Sequence, residues 1–361
     1  MNNPKKIILF LAIICIGKSS FAQFTGSNPI TQSTAGNVGI NIISPSPVIA
    51  PLEVKNGSVL FDGTIGTYPA LSGAGTRMLW YPAKKAFRAG SVTGAQWDDA
   101  SIGTNSFASG NSTTASGTTS TAMGNGTIAS GLFSFACGNT TTASGPYGFA
   151  SGVSTLASAN FTFAAGSQTI ASASGASVFG NYSTASGILS TAFGYHSIAQ
   201  AYSSFVIGAY NNTSLGYNTN AWINVDPLFV IGNGTSSTAT NNALTVLKNG
   251  NVLINKATQT NTGYILDVNG KIRSNEIVVN TTGADFVFEK NYKLTPLNLL
   301  EQMIKEEKHL PGIASASEMQ ENGVGLAELN KSLLQKTEEL TLYIIELNKR
   351  IELLEQKLNN K

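Results

Sequence analysis

Ser120-Thr121-Ala122-Met123-Gly124-Asn125-Gly126-Thr127-Ile128-Ala129-Ser130-Gly131 is followed by Ser134-Phe135-Ala136-Cys137-Gly138-Asn139-Thr140-Thr141-Thr142-Ala143-Ser144-Gly145. The second stretch begins fourteen residues after the first. The same interval separates Ala115, Ala129, Ala143, Ala157, Ala171, Ala185 and Ala199, and also Gly110, Gly124, Gly138, Gly152, Gly166, Gly180, Gly194 and Gly208. A register held this long is the mark of a repeat architecture. About eight copies of a unit Ser-(Phe/Thr)-Ala-x-Gly, a turn, then x-Ala-Ser-(Gly/Ala) run from Thr104 to Tyr217. Fourteen residues are too few for a helical hairpin, and Gly with Ser and Thr opposes helix. Gly124-Asn125, Gly138-Asn139 and Gly180-Asn181 supply residues that accept the positive φ of tight turns, which places the turns there. Two short strands per unit, stacked turn upon turn, predict a parallel β-roll or solenoid.

Positions i and i+2 of a strand share a face. The pairs at these positions are Phe107/Ser109, Thr121/Met123, Phe135/Cys137, Phe149/Ser151, Phe163/Ala165, Ser177/Phe179, Thr191/Phe193 and Phe205/Ile207. Seven of the eight combine a large residue with a small one. Volume conserved within a layer is a packing signature. The expected roll core is therefore Phe107, Met123, Phe135, Phe149, Phe163, Phe179, Phe193 and Phe205, with Cys137 the small member of its pair.

These repeats resemble the head repeats of YadA-like trimeric autotransporter adhesins, whose pattern has Ser-x-Ala-x-Gly before a polar turn. Ser120-Thr121-Ala122-Met123-Gly124 and Ser190-Thr191-Ala192-Phe193-Gly194 carry the likeness. The resemblance covers about a third of the chain. It implies a left-handed parallel β-roll, three copies of which pack into a head.

The composition narrows the function. Of 361 residues 12% are charged, and the net charge of +2 offers no electrostatic attraction for nucleic acid. Between Asp99 and Asp226 there is no Asp, Glu, Lys or Arg. A solenoid glycosidase needs carboxylates in its groove, and calcium-binding solenoids need carboxylate ligands. His196 and His309 are the two histidines, and Cys137 is the one cysteine after residue 22. The expectation is a chain with no catalytic, cofactor-binding or metal-binding residues and no cofactor.

Lys5 and Lys6, the apolar run Ile7 to Ile16, and Ser20-Phe21-Ala22 form the three parts of an export signal, with Gln23 starting the mature chain. No later stretch is apolar for long enough to span a membrane as a helix, and none after the heptads reads as outer-membrane strands. The expected organisation is a signal peptide over 1–22, an N-terminal β module over 23–103 and the β-roll over 104–217. A β connector over 218–284, a short helical tail region over 285–322 and a coiled coil over 323–361 follow.

Two flanking segments look like copies of one β unit. Gly36 to Asn41 is followed by Leu52 to Gly57, and Gly250 to Asn255 by Leu266 to Gly270. They resemble modules of phage tail fibres and of tail-fibre-like proteins of Bacteroidetes. Asp226 to Gly234 reads as a further strand, and Trp80 and Trp97 offer bulk for a small core. In the tail, Thr295-Pro296 reads as an N-cap with Pro at the first helical position, and Ser315-x-x-Glu318 as a capping box. Leu310-Pro311-Gly312-Ile313 breaks the helix between them.

The last segment is heptad-patterned. Leu326, Leu333, Leu340, Leu347 and Leu354 fall at d, and Asn330, Thr337, Ile344, Ile351 and Leu358 at a. The expected trimerisation residues are Leu333, Leu340, Ile344, Leu347, Ile351, Leu354 and Leu358, on a coil about 50 Å long. Ile at a with Leu at d favours two strands, whereas the roll resemblance favours three. Arg350 at g would pair with Glu355 at the next e in a parallel assembly. From about Asp285 the chain resembles the tail of Bacteroidetes tail-fibre-like proteins, distantly similar to the intramolecular chaperone domain of phage tail spikes. That family's Ser-Asp…Lys cleavage pattern is not found in it.

The expected function is a secreted or surface-exposed, non-catalytic, homotrimeric adhesin-like or tail-fibre-like protein. Its candidate ligands are a host matrix protein, a glycan or another cell surface. Two alternatives are an ice-binding β-solenoid, suggested by Thr113-Thr114, Thr141-Thr142 and Thr155, and a self-processing fibre protein. Ile128, Leu156, Ile170 and Ile198 interrupt the threonine ranks and argue against ice binding.

Overall fold

The computed structural model describes residues 72–213 and 216–360, residues 59–61, and three short strands, Ile30–Gln32, Val38–Ile40 and Leu52–Val54. The export segment lies outside the described residues. Two compact units divide the chain, residues 1–270 and 271–361.

The first unit is a parallel β-solenoid, as the repeat requires. Eight long strands of five residues, from Phe107–Asn111 to Phe205–Ala209, alternate with seven short strands of two residues, from Thr114–Ala115 to Ile198–Ala199. Like residues stack on like, fourteen apart: Phe135 pairs with Phe149, Ala136 with Ala150 and Gly138 with Gly152. The long strands build one wall and the short strands the other.

The interior between the walls is filled by small side chains, alanine methyls with buried serines and threonines beside them. Ala108, Ala122, Ala136, Ala150, Ala164 and Ala192 point inward from the long wall, with Val178 and Val206 at the same rank. Ala115 through Ala199 face them from the short wall, and all are buried. The expectation that Phe107, Met123, Phe135, Phe149, Phe163, Phe179, Phe193 and Phe205 fill the roll is therefore corrected. The strands alternate as expected, but it is the alanine face and not the phenylalanine face that turns inward. Walls joined by such short corners leave room for alanine, not phenylalanine, and Phe193 is 55% exposed.

The other repeat letters have local reasons. The leading serine closes the corner, as Oγ of Ser120, Ser134 and Ser204 donates to the carbonyl three residues back at 2.7 to 2.8 Å. The glycine is a close approach: a Cβ on Gly138 would lie 2.0 Å from the carbonyl oxygen of Gly152, and φ there is +118°. The Gly-Asn pairs are the last residues of long strands and not the turns expected. The chain turns one residue later, at Gly126, Thr140 and Tyr182, each in the left-handed region.

The long wall continues beyond the repeats to fourteen strands. Gly75–Tyr81 and Ala86–Val92 extend it at one end; Pro227–Asn233, Asn242–Leu247, Val252–Ile254 and Leu266–Val268 extend it at the other. The strand expected within Asp226 to Gly234 is present. The two flanking β units also agree in pairing: Val38 lies beside Leu52 and Val252 beside Leu266, each in a parallel pair.

Both ends of the methyl core are closed by larger groups. At the first end Arg88 replaces the stacked alanine, is fully buried, and donates to the carbonyls of Phe87, Ser106 and Ala115 and to Ser106 Oγ. Trp97 is buried beside it with Nε1 donating to the Thr113 carbonyl at 2.8 Å. Trp80, by contrast, is 38% exposed and adds nothing to that core. At the other end the Asn211 side chain pairs with both N–H and C=O of Ile198, so a side-chain amide takes the place of the next short strand.

The second unit holds three helices, α1 Leu297–Glu307, α2 Ala316–Asn322 and α3 Leu326–Asn359. The capping box at Ser315 and Glu318 forms as read. At α1 the N-cap is Pro296 with no side-chain cap, one residue later than expected. The Thr295 carbonyl instead accepts from the Tyr343 hydroxyl of α3.

Candidate interaction surface

Side chains that do not fit inside the roll stand on its long wall. Two rows run along the outer face of all fourteen strands. The first starts at Trp80 and passes through Phe87, Phe107, Phe135, Phe149 and Phe163 to Phe205, Phe229, Val246, Val252 and Leu266. The second starts at Met78 and passes through Met123, Cys137, Phe179, Phe193 and Ile207 to Ile231, Leu244, Ile254 and Val268. Neither row contains a charged residue. Fourteen strands carry this face over about 60 Å.

The rings form a stacked spine. Phe135–Phe149 and Phe149–Phe163 centroids are 5.1 and 4.7 Å apart with near-parallel planes. The spine then crosses to the second row, Phe163 stacking on Phe179 at 4.7 Å, and continues to Phe193 at 5.9 Å. The paired-volume rule locates this crossing: where the first row has Ser177 and Thr191, the second has Phe179 and Phe193. Cys137 is half-buried in the second row with its Sγ 3.4 Å from Ser151 Oγ.

The short wall offers a different surface. Its outward row reads Thr114, Ile128, Thr142, Leu156, Ile170, Thr184, Ile198. Thr113, Thr141 and Thr155 are buried inside the roll, so three of the five threonines that suggested an ice-binding face are hidden from water.

Polar groups with shifted ionisation gather past the last repeat. Burial pushes the Tyr217 hydroxyl up to about 12, with the Asp226 carboxylate adding to the effect. Burial also pulls the Lys248 ammonium down; it lies 5.2 Å from the Trp222 ring centroid and 5.7 Å from that of Tyr202. Asp226 accepts from the Asn218 N–H at 3.0 Å. These groups hold the irregular loop against the solenoid end.

In the second unit α3 places the predicted seam on one line, where its own chain does not cover it. Leu333, Leu340, Ile344, Leu347, Ile351, Leu354 and Leu358 are all between 46% and 74% exposed. Leu297, Leu300 and Leu310 flank Leu340, Ile344 and Leu347 along an apolar groove of about 650 Å³. Tyr292 meets α3 through Glu339, whose carboxyl is destabilised by burial but held below its ordinary value by Tyr292, Gln335 and Lys336 together. Arg350 pairs with Glu346 of its own helix at 2.9 Å. Among the described residues no helix is long and apolar enough to cross a membrane.

Comparison with known proteins agrees with the repeat. Residues 101–127, 115–141 and 185–211 match the family model described as the YadA head domain repeat (2 copies). No curated protein matches the chain.

Proposed function

We propose that this chain is exported and acts at the cell surface or beyond it as a non-catalytic, adhesin-like fibre built from three copies. The observation that carries the reading is the uncharged, two-row apolar face of the fourteen-stranded wall. A face of this length is well beyond the exposed apolar patches of ordinary monomers, and it calls for a partner. The roll cannot cover it from within, because its narrow interior admits small side chains, mostly alanine, serine and threonine. A second and third copy in register would cover ring with ring. The YadA-type match supports that arrangement. The heptads of α3 supply a second place where copies meet.

Adhesion then falls to the surface left facing water, the short wall. With no charged group between Asp99 and Asp226, recognition there uses hydrogen bonds and apolar contact, which suits a glycan, a matrix protein or another cell surface and not nucleic acid. Catalysis has no place in this scheme.

Light scattering on the secreted chain tests the assembly, with a mass three times that of one chain expected; a monomer would refute it. Binding of the trimer to glycan and matrix-protein arrays tests adhesion. Binding retained after deletion of 104–217 would move the adhesive role out of the roll.

A further inference from the structure

The two corners of each layer follow a rule that a single chain does not need. In every repeat one left-handed residue precedes the long strand and a second, seven residues on, follows it. At the leading corner Phe133, Tyr147 and Phe161 form an exposed stack with centroids 5.2 and 5.0 Å apart. The trailing corners of those same layers hold Thr140, Ser154 and Gln168. In the next three layers the arrangement inverts. Tyr182, His196 and Tyr210 stack at the trailing corner, 4.8 and 4.6 Å apart, and the leading corner holds Gly175, Leu189 and Ser203. The first two layers, with Asn105 and Ser112, then Thr119 and Gly126, carry no aromatic at either corner. No layer has two.

Within one chain this complementarity has no cause. A whole long strand separates the two corners of a layer, on the order of 20 Å, so Tyr147 and Ser154 do not share a packing site. The rule makes sense if the leading corner of one copy meets the trailing corner of the next copy at the same height. Such an interface uses two different edges, which is the heterologous kind that closes into rings. A two-fold across the corner would instead set each corner against itself and bring Tyr147 onto Tyr147, whereas a two-fold along the roll would also pair leading with trailing corners, so the number of copies rests on the trimer reading.

We propose that the leading and trailing corners form a heterologous contact between neighbouring copies, in register, with the single aromatic of each of the last six layers set against the non-aromatic corner of the next copy. This rests on the homotrimer reading above and deepens it. The edge pattern fixes which edges meet and at what height, and the covalent species of three chains or of two counts the copies. It also carries the aromatic band from the leading corner and first row to the second row and trailing corner along the roll, following the same crossing as the spine between Phe163 and Phe179.

The test is a pair of cysteines in the full chain with Cys137→Ser. Tyr147→Cys with Ser154→Cys, treated with a short bis-maleimide, should give covalent trimers on a denaturing gel. Tyr147→Cys alone, and Tyr147→Cys with the out-of-layer Ser112→Cys, should give single chains. Light scattering on the same samples separates the two claims. A trimer that does not cross-link overturns the corner contact and leaves the trimer standing, whereas a monomer overturns both. Cross-linking by Tyr147→Cys alone would show like corners meeting and overturn the ring.

A thermodynamic cycle provides an independent readout. Ser154→Tyr should lower the melting temperature of the assembly, and adding Tyr147→Ser should recover more than half of that drop. Residues about 20 Å apart in one chain do not couple this way unless they touch across copies. A double variant that melts lower than Ser154→Tyr overturns the proposal.

Discussion

At Gly138 a carbonyl oxygen occupies the place where any side chain would begin, 2.0 Å from an added Cβ, and the backbone sits at φ +118°. Clash and strain act together there, so Gly138→Ala should cost more than about 3 kcal/mol and show as loss of cooperative melting by circular dichroism. A variant that melts like the parent would mean that neighbouring layers slide apart easily. Tyr217 makes the opposite case. Its hydroxyl is buried and makes no hydrogen bond with the protein, so Tyr217→Phe should change stability little at neutral pH. Its folded pKa, about 12, lies above the ordinary value of about 10. The neutral hydroxyl is thus favoured by folding: its contribution is full below pH 10 and is lost as pH rises through 12. The parent's melting temperature should fall more steeply than that of Tyr217→Phe across this window. Equal slopes would place Tyr217 in water.

At the scale of the strand, the sequence showed the period, the two rows and the paired-volume rule, but not which side of the wall they face. Alternation alone is symmetric: Phe149 and Ala150 are neighbours on opposite faces, and a hydrophobicity argument puts the larger one inside. The missing quantity was the width of the roll, set by two-residue short strands whose Ala157 meets the same narrow space. The alanine register shows in the sequence as the fourteen-residue period, and these alanines are the core itself. The helices show a similar limit. The long helix α3 and the Ser315 box could be read locally, whereas the cap of α1 could not, because the Thr295 carbonyl is claimed by Tyr343 from far along the chain. The corrected assignment separates two substitutions. Ala150→Leu should block folding of the roll itself, since its site has no spare volume and overpacking typically costs 1–3 kcal/mol or more, roughly, in every chain. Phe149→Ala should leave the solenoid folded but weaken association by about 3 kcal/mol per chain, with Ser151→Phe recovering part of it. Circular dichroism with light scattering distinguishes the two failures. If Phe149→Ala unfolds the roll while Ala150→Leu is tolerated, the inward and outward faces are exchanged.

For the whole molecule, if three copies assemble as proposed, the question is what brings them into register. Parallel stacking joins residues fourteen apart or more, and three such rolls must also find each other at the right height, which makes assembly slow and exposes apolar edges meanwhile. The α3 helix forms from local contacts and can associate first. Ile344 and Ile351 are its β-branched aliphatic residues at a, with Leu340, Leu347 and Leu354 around them, all exposed in a single chain. Replacing both isoleucines with Asp would bury like charges at the axis of every copy, which packing does not offset. If the coil nucleates assembly, Ile344→Asp with Ile351→Asp should leave refolded chains monomeric or aggregated, as seen by cross-linking over a refolding time course. If the corners and the long wall suffice to align the rolls, the same variant should form trimers at the parental rate with only its tail frayed. The coil would then be a stalk. The corner contact makes this outcome sharp, because a wall whose layers differ in which edge carries the ring has one register of full complementarity, while a chain of identical layers would have many. A variant that assembles slowly but ends in correctly cross-linked trimers through residues 147 and 154 would assign speed to the coil and register to the roll.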